Sequence, residues 1–185
     1  TPDVQGVVMG EGGLLANGSF ETAGATDATA TGWAMNTRFT RVAAAGIDRV
    51  RTGERSARAA GSTNAAVATS DPITVVPGRR YILSGWIYRT TAAGRQYLDL
   101  GDVAGDPNVG FTSDLTGTWE YVQATWTAPT GTTTVRVRLL SDGATIATPT
   151  SAAWFDDVTL TDADGVPPTT TTAPPTTTAR AGRRC

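Results

Sequence analysis

The chain has 185 residues with 15 basic and 17 acidic side chains, which leaves a net charge of −2 and a sequence pI of about 5.0. This length fits one domain with an appendage, and the scatter of arginines among acids argues against a nucleic-acid partner. There is no histidine and the one cysteine is Cys185, which excludes a Ser-His-Asp triad, a histidine- or cysteine-ligated zinc site and an internal disulfide. No apolar run is long enough to span a membrane.

The chain divides into three parts. Residues 1–12 form an N-terminal lead without the basic start and apolar stretch of a secretory signal, so either a signal was removed or the chain is a fragment. Residues 13–162 form a globular body. Residues 163–185 include Val166 to Thr178 (VPPTTTTAPPTTT), which has nothing apolar to bury and predicts a disordered linker leading to another domain.

The body is predicted to be all-β, because short alternating runs are separated by Gly, Pro, Asp and Asn. Weaker strands are predicted near residues 39–42, 56–60, 65–70 and 96–100, and stronger ones over 80–90, 118–128, 132–140 and 153–161. Arg80 to Thr90 alternates between two faces, and we expect Tyr81, Leu83 and Ile87 to face the core; the reversed register stays open. Eight to ten such strands, without crossover helices, predict a two-sheet antiparallel β-sandwich of the jelly-roll type.

Three sequence anchors occur in order. They are LLANGSFET at Leu14 to Thr22, a long strand after PGRRY in the middle, and WFDDVTL near the end of the body. Together they resemble the carbohydrate-binding modules of families four, nine and twenty-two, which are calcium-containing β-jelly rolls. The resemblance covers Leu14 to Asp162 and implies a non-catalytic sandwich.

The resemblance also implies a structural calcium ion that ties the first strand to the last. The matching positions are Ser19 and Arg55, through backbone oxygens, and the carboxylates of Glu21 and Asp156. Calcium prefers such oxygen ligands. Asp156 is predicted to share a core-facing register with Trp154, where an unpaired charge would be costly. The alternative is that Asp156 lies at the rim and Glu21 pairs with an arginine.

Members of this family bind sugars on the outside of one sheet or at loops on the sandwich edge. Flat aromatic side chains match the apolar faces of sugar rings, and charged or amide groups match the hydroxyls. The predicted groove residues are Trp86, Tyr88, Asp99, Arg136 and Arg138. The arginines argue against a neutral β-glucan and favour an acidic or substituted glycan.

The remaining tryptophans are assigned to the core, namely Trp33, Trp119, Trp126 and Trp154, while Tyr97 is left undecided.

The first functional hypothesis is a secreted or cell-surface module that targets a covalently linked domain, such as a bacterial glycoside hydrolase, to a polysaccharide. The second is a structural or adhesion module of a phage tail or surface filament. Catalysis is not expected, because Asp156 and Asp157 are adjacent in a strand and point to opposite faces, unlike the paired carboxylates of a glycosidase.

Overall fold

A computed structural model describes residues 13–60, 66–91, 94–101, 111–112, 115–142 and 152–165. Within these residues the chain forms eleven strands and no helix, which confirms the all-β prediction. The strands are β1 Trp33–Met35, β2 Phe39–Ala43, β3 Arg55–Ala60, β4 Ala66–Ser70, β5 Ile73–Thr74, β6 Arg80–Arg89, β7 Arg95–Gly101, β8 Phe111–Thr112, β9 Trp119–Thr127, β10 Thr134–Asp142 and β11 Ala152–Asp162.

The strands form two sheets in which every pair of neighbours is antiparallel. The six-stranded sheet has the order β1-β4-β10-β7-β8, with β5 paired to β10, and the five-stranded sheet has the order β2-β3-β11-β6-β9. Consecutive strands repeatedly cross from one sheet to the other, as β3 to β4 and β6 to β7 do. The predicted β-sandwich is therefore confirmed.

The core lies between the two sheets and follows from the alternation along each strand. In β6, Tyr81, Leu83 and Ile87 are buried in it, so the predicted register of this strand is confirmed and Trp86 and Tyr88 point outward. The opposing sheet contributes Leu98 and Leu100 from β7 and three alternate apolar side chains from β10. Those three are Val135, Val137 and Leu139.

Strand β11 contains an irregularity that the sequence prediction missed. Its pairing with β6 shifts register between Asp156 and Thr159, and Asp157 adopts a φ of 48°. Because of this bulge, Phe155 and Val158 face the core while Trp154 and Asp156 point to the outer side. The prediction that Trp154, Asp156 and Val158 share one face is wrong.

The described chain begins and ends at neighbouring positions. Gly13 forms a bridge with Thr161, the N–H of Leu14 donates to the carbonyl of Leu160 (2.7 Å), and that of Val158 donates to the carbonyl of Gly18 (2.9 Å). The predicted lead 1–12 and the Pro/Thr-rich stretch from Val166 onward lie outside the described residues.

Candidate functional site

The five predicted groove residues lie on two different surfaces. Trp86 and Tyr88 project from β6 on the outer face of the five-stranded sheet. Asp99 on β7, with Arg136 and Arg138 on β10, lies on the outer face of the six-stranded sheet. The prediction of one shared groove is therefore wrong, because the pairing partner of each strand is set by the tertiary fold and its alternation pattern does not reveal the sheet it joins.

The six-stranded face carries a charged pair beside an aromatic ring. Arg138 and Asp99 are direct cross-strand neighbours, and the guanidinium donates through Nη2 to Oδ2 of the carboxylate. The next outward pair in the same direction along the strands is Leu140 and Tyr97, both half-buried. Arg136 donates from Nη1 to the carbonyl of Ser70 (2.9 Å), which anchors it to the end of β4.

The five-stranded face carries five aromatic rings on three neighbouring strands, in one group of two and one of three, here called the aromatic ladder. It comprises Trp86 and Tyr88 from β6, Trp119 and Tyr121 from β9, and Trp154 from β11. Ring centroids are 5.2 Å apart for Trp86 and Tyr121, and 5.7 Å apart for Tyr88 with both Trp119 and Trp154. These separations are typical of favourable tilted and edge-to-face aromatic pairs.

The loop between β2 and β3 covers much of the aromatic ladder. The guanidinium carbon of Arg51 lies 3.6 Å from the ring centroid of Trp86, and that of Arg49 lies 5.7 Å from the ring centroid of Tyr88. Asp48 accepts a hydrogen bond from the indole N–H of Trp154 (3.2 Å). At 3.6 Å the guanidinium of Arg51 takes the face of Trp86 that a sugar would use, so Trp86 is poorly placed for ligand contact. The arginine beside Tyr88 is no closer than Arg95 is to the ring of Tyr97 on the other sheet, at 5.5 Å.

The core assignments of the tryptophans are confirmed in two cases of four. Trp33 and Trp126 belong to the core. Trp154 is fully buried, but beneath the covering loop on the outer side, and Trp119 is half-buried on the same outer face. The excess of aromatic residues at outward positions of β6 and β9 was the available signal for the ladder.

The two carboxylates among the predicted metal ligands both accept hydrogen bonds from the end of the covering loop and the start of β3. Oε1 of Glu21 accepts the backbone N–H groups of Glu54 (3.0 Å) and Arg55 (3.1 Å). Oδ2 of Asp156 accepts those of Arg51 (2.9 Å) and Thr52 (3.3 Å). The two carboxylates thus bind one loop segment, and Glu21 takes backbone amides where pairing with an arginine was the alternative.

The two carboxylates provide too few oxygen ligands for a calcium ion unless backbone oxygens are added. Among the residues described, no group of three or more acidic, cysteine or histidine side chains is placed so that it could hold a metal ion. A calcium ion would need the backbone oxygens predicted at Ser19 and Arg55 in addition to the carboxylates of Glu21 and Asp156. The segment of Ser19 runs beside β11, since Gly18 hydrogen-bonds Val158, so these positions belong to one region.

The carboxyl group of Asp156 is buried and has a raised pKa. Burial raises its pKa to about 7, against the lowering effect of the N–H donors from Arg51, Asp157 and Thr52, and the neighbouring charge of Asp157 adds to the increase. An uncompensated carboxylate at this position is therefore costly, and a bound cation would lower the pKa again.

A buried arginine that the sequence prediction missed organises the N-terminal segment. Arg41 on β2 is 6% exposed, and its guanidinium donates to the backbone carbonyls of Phe20 (2.5 Å), Glu21 (2.6 Å) and Asp27 (3.1 Å). It also donates to the Asp27 carboxylate at 2.6 Å. The guanidinium therefore supplies positive charge to four oxygen atoms of residues 20–27.

The sandwich has the fold of several solved domains, among them carbohydrate-binding modules and part of a phage tailspike. A family 61 module solved with β-1,4-galactotriose aligns with a TM-score of 0.59 at 15% identity, over 81% of this chain and 98% of that one. The xylan-binding family 22 domain of Xyn10C from Paenibacillus barcinonensis aligns with a TM-score of 0.52 at 16% identity, over 78% and 90%. The tailspike protein 4 of bacteriophage CBA120 gives 0.58 at 15% identity, over 81% of this chain and 21% of that one.

These identities are low, so the likenesses show the fold alone. No curated protein matches the sequence. The family comparison is specific, because the model described as a carbohydrate binding domain, covering families 4 and 9, matches residues 12–149. The chain thus belongs to the carbohydrate-binding domain family, as its sequence anchors predicted, and is a glycan-binding module with a two-sheet β-sandwich fold.

Proposed function

We propose that the glycan binds on the outer face of the six-stranded sheet, across β7 and β10. The observation that carries this proposal is the Arg138–Asp99 pair, which stands in register beside Tyr97 on an outward face. The tyrosine ring offers a surface for the C–H face of a sugar, and the partly exposed guanidinium of Arg138 offers donors for its hydroxyls. Asp99 is 2% exposed, so its role is to hold that guanidinium in place. Arg136, held by Ser70, extends the polar row along β10.

The outer face of the six-stranded sheet is favoured over that of the five-stranded sheet, because a loop covers part of the aromatic ladder on the latter. Arg51 stacks on Trp86 at 3.6 Å and Trp154 is fully buried, whereas the arginine beside Tyr97 lies 5.5 Å from its ring centroid. The predicted contribution of Trp86 and Tyr88 to this primary site is accordingly given up, while Asp99, Arg136 and Arg138 are retained. Arginine in place of neutral amide side chains favours glycans that carry carboxylate or other acidic groups.

The test is affinity electrophoresis on xylan, mixed-linkage β-glucan and a uronic-acid polymer. We expect at least one polymer to retard the protein, with the uronic-acid polymer strongest, and Tyr97→Ala and Arg138→Ala to weaken binding by about tenfold, or about 1.4 kcal/mol. Val76→Ala is the matched control, because Val76 is exposed between β5 and β6. Undiminished retardation in both site variants would place the glycan elsewhere.

We further propose that the module is extracellular, non-catalytic and joined to a partner domain through the Pro/Thr-rich segment. Gly13 and Thr161, near the two limits of the described body, are bridged to each other, and the Pro/Thr-rich composition of Val166 to Thr178 is typical of a linker. Tethering raises the effective concentration of that partner at the polymer. Release of reducing sugar from these polymers by the isolated chain would contradict the non-catalytic assignment.

Calcium is proposed as a structural ion held by Ser19, Glu21, Arg55 and Asp156. Its positive charge would offset the buried carboxylate of Asp156 and fasten the loop to β11. We expect calcium to raise the melting temperature, by the equivalent of about 2.7 kcal/mol at a hundredfold excess over Kd. The rise should disappear in Glu21→Gln, and an equal rise in that variant would refute the site.

A further inference from the structure

The aromatic ladder has one end that the covering loop leaves open. Tyr121 is 48% exposed, although its ring packs 5.2 Å from that of Trp86. Most outward positions of a sheet are polar, so a large exposed ring backed by four further aromatic residues calls for a partner. Two of the other exposed apolar side chains, Ile47 and Leu115, belong to segments bordering this face.

The residues next to Tyr121 give the surface a regular polar and aromatic pattern. The outward side of β9 presents Trp119, Tyr121, Gln123 and Thr125 in order, which recur about every 7 Å on one face of a strand. Beside this row, Arg51 keeps a partly exposed guanidinium over Trp86. We call these five residues, four on β9 and Arg51, the β9 strip.

The position of β9 makes the strip accessible to a long ligand. In the described sheet β9 is the terminal strand and pairs with β6 alone, so an extended chain can lie along it without crossing another strand. An aromatic ring followed by an amide and a hydroxyl offers stacking and then hydrogen bonds, the combination that a sugar polymer requires. The strip lies on the opposite side of the sandwich from Tyr97 and Asp99.

We propose that the β9 strip is a second saccharide-binding site, in which Tyr121 stacks on a sugar ring and Gln123 and Arg51 hydrogen-bond to neighbouring hydroxyls. The inference rests on the proposed glycan-binding function and extends it from one face to two. Two sites on opposite faces make the module bivalent, so it binds a polymer more tightly than a short oligosaccharide and bridges adjacent chains.

The experiment compares four variants on the three polymers named above. Affinity electrophoresis measures binding, and sedimentation of the polysaccharide with protein measures whether the protein bridges polymer chains. The variants are Tyr97→Ala, Tyr121→Ala, the double variant and Tyr121→Phe. We expect each single alanine variant to keep part of the retardation and the double alanine variant to lose all of it. We also expect Tyr121→Ala to abolish bridging, while Tyr121→Phe, which keeps the ring, behaves as the unmodified protein. Melting curves check that the variants at the exposed Tyr121 remain folded.

The other outcomes separate this inference from the proposed function. If Tyr97→Ala alone abolishes retardation and Tyr121→Ala has no effect, the second site is refuted and the primary site stands. If Tyr121→Ala instead dissolves a self-associated form in sedimentation velocity, the strip is a protein interface and the inference fails. If no polymer retards the unmodified protein, both the proposed function and the second site fail.

Discussion

At the scale of single residues, Asp156 shows how a bulge changes the chemistry of a strand. Its carboxylate is fully buried yet lies outside the apolar core, where it accepts backbone N–H groups from Arg51, Thr52 and Asp157. Its sequence context did predict a carboxylate in need of compensation. The face it occupies was beyond prediction, because the positive φ of Asp157, a residue compatible with the left-handed region, is set by the pairing of β11 with β6.

The first prediction concerns pH in a metal-chelating buffer. The pKa of Asp156 in the folded protein, about 7, exceeds the ordinary value of 3.8, so the native state binds more protons than the unfolded state between these values. The free energy of unfolding therefore loses a contribution from this group as pH rises from about 4 to about 7. Urea denaturation across this range should show a smaller loss in Asp156→Asn, which cannot ionise. Identical pH profiles for the two proteins would contradict the shifted pKa.

At the scale of elements, the strands were well predicted and their assignment to sheets was not. The long alternating runs gave β6, β9, β10 and β11 to within two residues at each end, because side-chain alternation is local information. The short strands β1, β5 and β8 carry too few residues to show a period. The covering loop between β2 and β3 has no periodic signal at all, yet it decides which aromatic faces a ligand can reach.

The second prediction tests how tightly that loop is fastened. Gly53 has a φ of +66°, and a Cβ there would lie 2.2 Å from Oε1 of Glu21. Gly46, in the same loop, has a φ of +59° and no atom within 4 Å of such a Cβ. Gly53→Ala should therefore cost about 2 kcal/mol more of unfolding free energy than Gly46→Ala. Both variants strain the backbone alike, so equal costs in denaturant titrations would mean that the Glu21 side chain moves aside freely and does not fasten the loop.

At the scale of the whole molecule, the sandwich has two outer faces with different surfaces. One carries a charged pair and a tyrosine, and the other an aromatic ladder partly covered by a loop that two carboxylates hold. Family membership and fold were predictable from three short anchors. The division of aromatic and charged residues between faces was not, since it depends on pairs such as Arg138 with Asp99, 39 residues apart in the chain.

The last prediction concerns the attachment of the N-terminal segment to this sandwich, which has no internal disulfide. The Arg41 guanidinium donates four hydrogen bonds to oxygens of residues 20–27, which would otherwise bond to water. Arg41→Ala leaves the buried carbonyl of Phe20 without its donor and removes the bonds to the more exposed Glu21 and Asp27, so we expect a loss of about 2 to 3 kcal/mol in the free energy of unfolding.

The control for Arg41 is Arg55→Ala, because Arg55 contacts the same Asp27 carboxylate at 3.1 Å from a more exposed position. That change should cost about 1 kcal/mol or less, as is usual for exposed ion pairs. Arg41→Lys should fall between the two, since lysine keeps the charge but lacks the planar fork that reaches several carbonyls at once. If Arg41→Ala and Arg55→Ala are equally mild, the N-terminal segment is held by its apolar contacts, among them that of Phe20 with Trp33, and the buried guanidinium is dispensable.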